Sequence, residues 1–214
     1  MANSRRKFIR NGVALGLTSL IHPNALEALN DLTNNGKKLK ILILGGTSFL
    51  GPHQISYALK RGHEITTFTR GKTVPKIHQD LFTKVEQLIG DRENNLEALK
   101  NRKWDVVIDN SGRKTKWTED TAQLLVTNVG HYMYTSSISV YYPYTGDDFT
   151  EERTVVTEIP KNITDNEKQT YAYGVMKATS EMAAIKAFGA ERSIIVRPTP
   201  VSYTHLTLPT TSRV

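Results

Sequence analysis

The chain has 214 residues, enough to bury a good core, and 28 basic against 21 acidic residues give it a net charge of +7. Four of those positive charges, Arg5, Arg6, Lys7 and Arg10, sit in the first ten residues with no acid beside them, so the body is only mildly basic. A nucleic-acid face needs clustered charge, and this balance argues against one. The chain has no cysteine, which excludes disulfides, thiol catalysis and cysteine-ligated metals; its six histidines are scattered, so no metal site is expected.

Ser4-Arg-Arg-Lys-Phe-Ile-Arg10 is followed by a modest apolar run, Gly12 to Ile21, and then by Pro23. A basic head, a short apolar middle and a helix breaker describe an export signal, and the run is too short to serve as a membrane anchor. The Arg5-Arg6 pair looks like a twin-arginine signal, with Ile9 and Arg10 where leucine and lysine are more usual. Residues 1–30 are therefore expected to direct export to the periplasm, with a basic tail on a cytoplasmic protein as the alternative. Residues 31–38 read as a polar linker.

The run Ile41 to Leu44 suits a strand buried on both faces of a parallel sheet. Gly45-Gly-Thr-Ser-Phe-Leu-Gly51 follows at once, and Ile55, Ala58 and Leu59 then recur at helical spacing until Gly62. Strand, glycine turn and helix in that order can cradle a phosphate on the free N–H groups of the helix start. His63 to Thr69 reads as a second strand ending at Arg70-Gly71. In a dinucleotide-binding unit an arginine at that strand end favours a 2′-phosphate, so Arg70 and Lys72 tilt the choice toward NADP over NAD.

Thr83 to Ile89 is predicted as a third strand before Gly90-Asp91-Arg92, Asn94 to Leu99 as a short helix, and Trp104 to Asp109 as a fourth strand. A helix from about Trp117 to Asn128 and a fifth strand, His131 to Ser136, come next; Glu191 to Arg197 makes a sixth. This alternation predicts an α/β fold with a doubly wound parallel sheet, its crevice at the carboxyl ends of the strands. Residues 143–170 are polar and acidic with no helical period, and read as a long functional or mobile loop.

Tyr171-Ala-Tyr-Gly-Val-Met-Lys177 opens the next helix, with Tyr173 and Lys177 one turn apart on one face. A neighbouring ammonium favours phenolate and brings a tyrosine into range as an acid/base group. A hydroxyl at the end of the fifth strand can bind the same substrate oxygen, and Ser136, Ser137 and Ser139 compete for that role.

Gly45 to Gly51, Asp105 to Asp109, Ser136 to Tyr141, Tyr173 to Lys177 and Val196-Arg-Pro198 together resemble the extended short-chain dehydrogenase/reductase family, more narrowly its NAD-dependent epimerase/dehydratase members. The resemblance covers about residues 39–199 and implies a Rossmann-type NAD(P)-binding domain over residues 39–198. It assigns Tyr173 as acid/base, Lys177 to the nicotinamide ribose and Ser137 as the catalytic hydroxyl. Gly45, Gly46, Thr47, Ser48, Phe49, Leu50 and Gly51 would hold the cofactor, NAD or NADP, with Asp91 near the adenine and Arg70 near its ribose. Ser48 replaces the family's middle glycine, and this variant is similar to an atypical branch that includes chloroplast RNA-binding proteins.

What the resemblance implies is an epimerase, dehydratase or reductase acting on a small-molecule substrate, sugar-nucleotide-like or another hydroxyl/carbonyl compound, with a homodimer allowed. The alternative is a non-catalytic binding module for RNA or regulation, for which Lys37, Lys38, Arg113, Lys114 and Lys116 come nearest to a cluster. From Thr199 to Val214 the chain lacks amphipathic period and resembles translated sequencing-adapter read-through. The expectation is a non-native tail in place of a complete substrate-binding part, with a genuine short β-rich C-terminus as the alternative.

Overall fold

The computed structural model describes residues 37–144 and 150–199. The leader of residues 1–30, most of the linker, and the C-terminal segment after Thr199 lie outside the described residues. The described segments build a six-stranded sheet in which every neighbouring pair is parallel. Its strands are β1 (Lys40–Leu44), β2 (Glu64–Thr69), β3 (Glu86–Ile89), β4 (Trp104–Asp109), β5 (Val129–Thr135) and β6 (Ser193–Val196). They lie in the order β3-β2-β1-β4-β5-β6. This is the doubly wound Rossmann arrangement predicted from the sequence, with its crevice between β1 and β4, where the strand order reverses.

Side chains on β1 alternate between two cores. Ile41 and Ile43 pack with Ile55 and Ala58 of α1 (Leu50–Lys60) and with Ile65 and Phe82. Leu42 and Leu44 face the other side, where Val107, Leu125, Tyr132, Tyr134 and Phe188 gather under α2 (Thr115–Leu125) and α3 (Asp165–Phe188). Each such aliphatic side chain contributes about 1.5–3 kcal/mol by leaving water. Burial on both faces is why β1 reads as an unbroken apolar run.

Several boundaries differ from the sequence reading. The third strand starts at Glu86, because Gln79–Lys84 forms a 3₁₀ turn that buries Phe82 against the α1-side core. The short helix expected over Asn94 to Leu99 is only a 3₁₀ turn at Glu97–Leu99, since Asp91 and Asn95 instead pair in an antiparallel bridge. The second helix covers Thr115–Leu125, and β5 and β6 are Val129–Thr135 and Ser193–Val196, each shifted or shortened at its ends.

The largest correction concerns α3, which begins at Asp165 rather than Tyr171. Thr164 caps it: its hydroxyl accepts from the Glu167 N–H at 3.3 Å, and the Glu167 carboxylate accepts from the Thr164 N–H at 2.8 Å. That capping box claims the last residues of the stretch read as loop.

Candidate functional site

The carboxyl ends of β1, β4 and β5 are brought level by register, with Leu44 beside Asp109 and Asp109 beside Tyr134. The turn after β1 leads straight into α1, whose first residue follows Phe49, a non-glycine at φ 47°. No side chain caps α1 and no acid lies in its first turn. Gly51 must be glycine, because a Cβ there would stand 2.2 Å from the Gly46 carbonyl oxygen. Its own N–H donates to the Ser48 carbonyl at 3.1 Å, and Pro52 has no N–H to give, so part of the cradle is already spent.

Beside this turn is a cavity of about 240 Å³, lined in part by Gly45, Thr47, Arg70, Asp91, Arg113 and Trp117. The structure thus brings together four of the expected cofactor residues: Gly45, Thr47, Arg70 and Asp91. Gly46, Ser48, Phe49, Leu50 and Gly51 do not line it. Gly46 is buried, with Thr67 3.0 Å from where its Cβ would be, while Phe49 is 66% exposed at the rim of the turn.

A buried polar network reaches the cavity through Arg92 and Ser111, which line it. The Arg92 guanidinium donates to both Asp109 oxygens, at 2.5 and 2.9 Å, and to the Trp117 carbonyl at 2.8 Å. Asp109 also accepts from the Tyr132 hydroxyl at 2.7 Å and from the Ser111 N–H at 3.0 Å. Burial works against the charge on Asp109, but the Arg92 charge and these hydrogen bonds outweigh it and hold the carboxyl below its usual range. Burial likewise opposes the Arg92 charge, and Asp109 overrides it. The phenol of Tyr132, buried against that carboxylate, is pushed well up. Sequence reasoning assigned this network no role. The available signal was an acid closing an otherwise apolar strand, Val106 to Asp109.

The second group lies at the end of β5. Lys177 is 7% exposed; its Nζ donates to the Thr135 carbonyl at 2.8 Å and sits 4.9 Å from the Tyr134 ring centroid and 5.9 Å from that of Tyr173. Burial lowers the Lys177 pKa; Asp109 and Glu181 resist, while Arg92 and Arg113 add to the lowering. Tyr173, one turn away, is 47% exposed. Gly174 lets this helix approach: a Cβ there would fall 2.3 Å from the Ser139 carbonyl oxygen. The helix is thereby seated against the segment that carries the candidate serines.

Among these serines, Ser137 donates to the Ser139 hydroxyl at 3.1 Å and accepts from the Ser139 N–H at 3.2 Å. Tyr144 also donates to the Ser139 hydroxyl, at 3.3 Å. The Ser136 hydroxyl is buried without a protein partner among the described residues. Ser137, Tyr173 and Lys177 do not line the cavity of Gly45 and Arg70; they form a neighbouring group at the same edge of the sheet. The basic residues Arg113, Lys114 and Lys116 do not act as one patch, for Lys114 pairs with Glu93 at 2.7 Å and Lys116 with Asp120 at 2.8 Å.

A parallel sheet of this order, a glycine turn feeding an uncapped helix and a cation-lined cavity together fit a phosphate-bearing dinucleotide, and they define a Rossmann-type α/β protein. The sequence model of the NAD dependent epimerase/dehydratase family matches residues 41–205, and the chain belongs to that family. It is 36% identical over 115 residues to the chloroplast stem-loop binding protein of 41 kDa b of Arabidopsis thaliana, a match covering 48% of this chain and 30% of that protein.

Among solved structures it resembles the Bordetella bronchiseptica enzyme WbmG in complex with NAD (TM-score 0.57, 15% identity, 76% of this chain and 54% of that one). It also resembles the UDP-Glc/GlcNAc 4-epimerase of Campylobacter jejuni (TM-score 0.60, 21% identity, 74% and 52%). At such identities the likeness concerns the fold. The chain spans about a third of the curated relative and about half of these structures.

Proposed function

We propose that the protein is an NAD(P)-dependent epimerase, dehydratase or reductase acting on a sugar-nucleotide-like or other small hydroxyl/carbonyl substrate. The observation that carries this reading is Lys177, a buried ammonium near the Tyr134 ring and one helical turn from a half-exposed Tyr173. Gly45, Thr47, Arg70 and Asp91 would hold the dinucleotide, with Lys177 at its nicotinamide ribose. The bound nicotinamide supplies hydride exchange with a substrate carbon. Tyr173 gives a proton to, or takes one from, the substrate oxygen. Ser137 donates a hydrogen bond to that same oxygen. An exported, periplasmic protein is part of this proposal, resting on the Arg5-Arg6 leader. Among the described residues no helix is long and apolar enough to cross a membrane.

The test is Tyr173→Phe in the full-length protein, assayed with UDP-sugars and simple carbonyl compounds. Turnover is expected to vanish while dinucleotide affinity is kept; unchanged turnover would refute the role of Tyr173.

A second reading, an RNA-binding module, is favoured by the likeness to a stem-loop binding protein. Gel-shift titration with a stem-loop RNA at two salt concentrations distinguishes it. Salt-sensitive binding that survives Tyr173→Phe in a protein without turnover supports the second reading over the first.

A further inference from the structure

Glu181 follows Lys177 on α3 at the same spacing by which Lys177 follows Tyr173, so the three side chains lie along one helical face. A carboxylate one turn away is a natural partner for an ammonium. Lys177 donates instead to the Thr135 carbonyl at the end of β5, at 2.8 Å. Both oxygens of the buried Glu181 are taken by Arg197, the residue that follows β6: Nε donates to one at 2.9 Å and Nη2 to the other at 2.6 Å. Arg197 is itself held from another side, for its Nη1 donates to the Tyr141 hydroxyl and, at 3.4 Å, to the Glu151 carbonyl. A guanidinium gripping both oxygens of a carboxylate outcompetes a lysine ammonium for it, because its fork is planar and needs no further ordering.

Resting on the dinucleotide reading above, we propose that Arg197 is a positioning residue: by holding Glu181 it keeps that carboxylate from drawing the Lys177 ammonium off its seat at the end of β5. The charges that bear on Lys177 are Asp109 at the end of β4, Glu181 on its own helix, and Arg92 and Arg113 from the loops after β3 and β4, with the Tyr134 and Tyr173 rings beside it. Of the two acids, Asp109 is tied to Arg92 and Glu181 to Arg197. Once Arg197 is gone, Glu181 is the charged acid on the helical face that carries Lys177. The ammonium then turns along the helix toward it and away from the Thr135 carbonyl. Arg197 acts on the site only through Glu181, from the Val196-Arg-Pro198 stretch where the chain leaves the sheet.

The experiment compares the full chain with Arg197→Gln, Arg197→Lys and the double variant Arg197→Met/Glu181→Leu. The Lys177 titration midpoint is followed by nitrogen NMR, and NAD and NADP binding by calorimetry. Arg197→Gln leaves the Glu181 charge free, so the midpoint should rise and both dinucleotides should bind about tenfold more weakly, the scale of one charge-assisted hydrogen bond. Arg197→Lys keeps the charge but not the fork, and should show a smaller change in both. The double variant replaces the buried pair by apolar side chains, which a fold usually tolerates, and should bring affinity back to within about twofold of the parent. An unchanged midpoint in Arg197→Gln, or in Arg197→Lys where the glutamine variant does not fold, overturns the proposal. So does a double variant that binds as weakly as Arg197→Gln, since the arginine then acts without Glu181. Failure of the parent to bind either dinucleotide overturns the dinucleotide reading, and the Lys177 midpoints still decide the role of Arg197.

Discussion

The guanidinium of Arg92 and the carboxylate of Asp109 are joined by two hydrogen bonds, at 2.5 and 2.9 Å, with exposures of 6% and 0%. The pair ties the loop after β3, where Arg92 lines the cavity, to the end of β4. Breaking it leaves a buried charge without a partner. Asp109→Ala or Arg92→Ala is expected to cost about 3–5 kcal/mol in urea unfolding. A loss below about 1 kcal/mol would show the site to be wet rather than dry.

The same pair sets an acid limit. The Asp109 pKa is lower folded than unfolded, so its contribution is complete above the ordinary carboxylate value and disappears as pH falls through the depressed one. Thermal melts between neutral pH and strong acid should show a fall in stability that Asp109→Asn flattens. A parallel fall in the variant would place the acid limit elsewhere.

Lys177 runs the other way. Burial lowers its pKa, so holding it charged destabilises the fold at every pH below that depressed value, and the penalty fades as pH rises through it toward the ordinary lysine value. Lys177→Met should therefore leave the melting temperature unchanged or raise it, while turnover and nicotinamide-ribose affinity drop. A large destabilisation would mean that the bond to the Thr135 carbonyl matters more than the buried charge.

Gly174 governs how closely α3 meets the serine segment. Gly174→Ala puts a methyl 2.3 Å from the Ser139 oxygen, a backbone atom that cannot swing aside. A cost of about 1–3 kcal/mol is expected, with turnover lost even where folding is restored by lower temperature. Retained turnover would uncouple the helix approach from the site.

The capping box is the simplest local test. Thr164→Ala should cost about 1 kcal/mol and fray the start of α3 ahead of Tyr171, read by hydrogen exchange at residues 165–168. No change in exchange there would show that packing alone starts the helix.

The sequence alone was enough for the sheet, because a strand buried on both faces must be apolar at consecutive positions, as Ile41 to Leu44 and Val106 to Ile108 are. The glycine turn and the four-residue spacing of Tyr173 and Lys177 were legible for a similar local reason. The start of α3 was written in Thr164 and Glu167 as well, though hidden by the polar residues before them. What only tertiary structure decided was pairing across distance: Arg92 with Asp109, Lys177 with the Thr135 carbonyl, and Arg113 at the same cavity as Arg70. Local spacing follows from the backbone's fixed geometry, whereas the neutralisation or freedom of a charge depends on which strand ends the fold brings level.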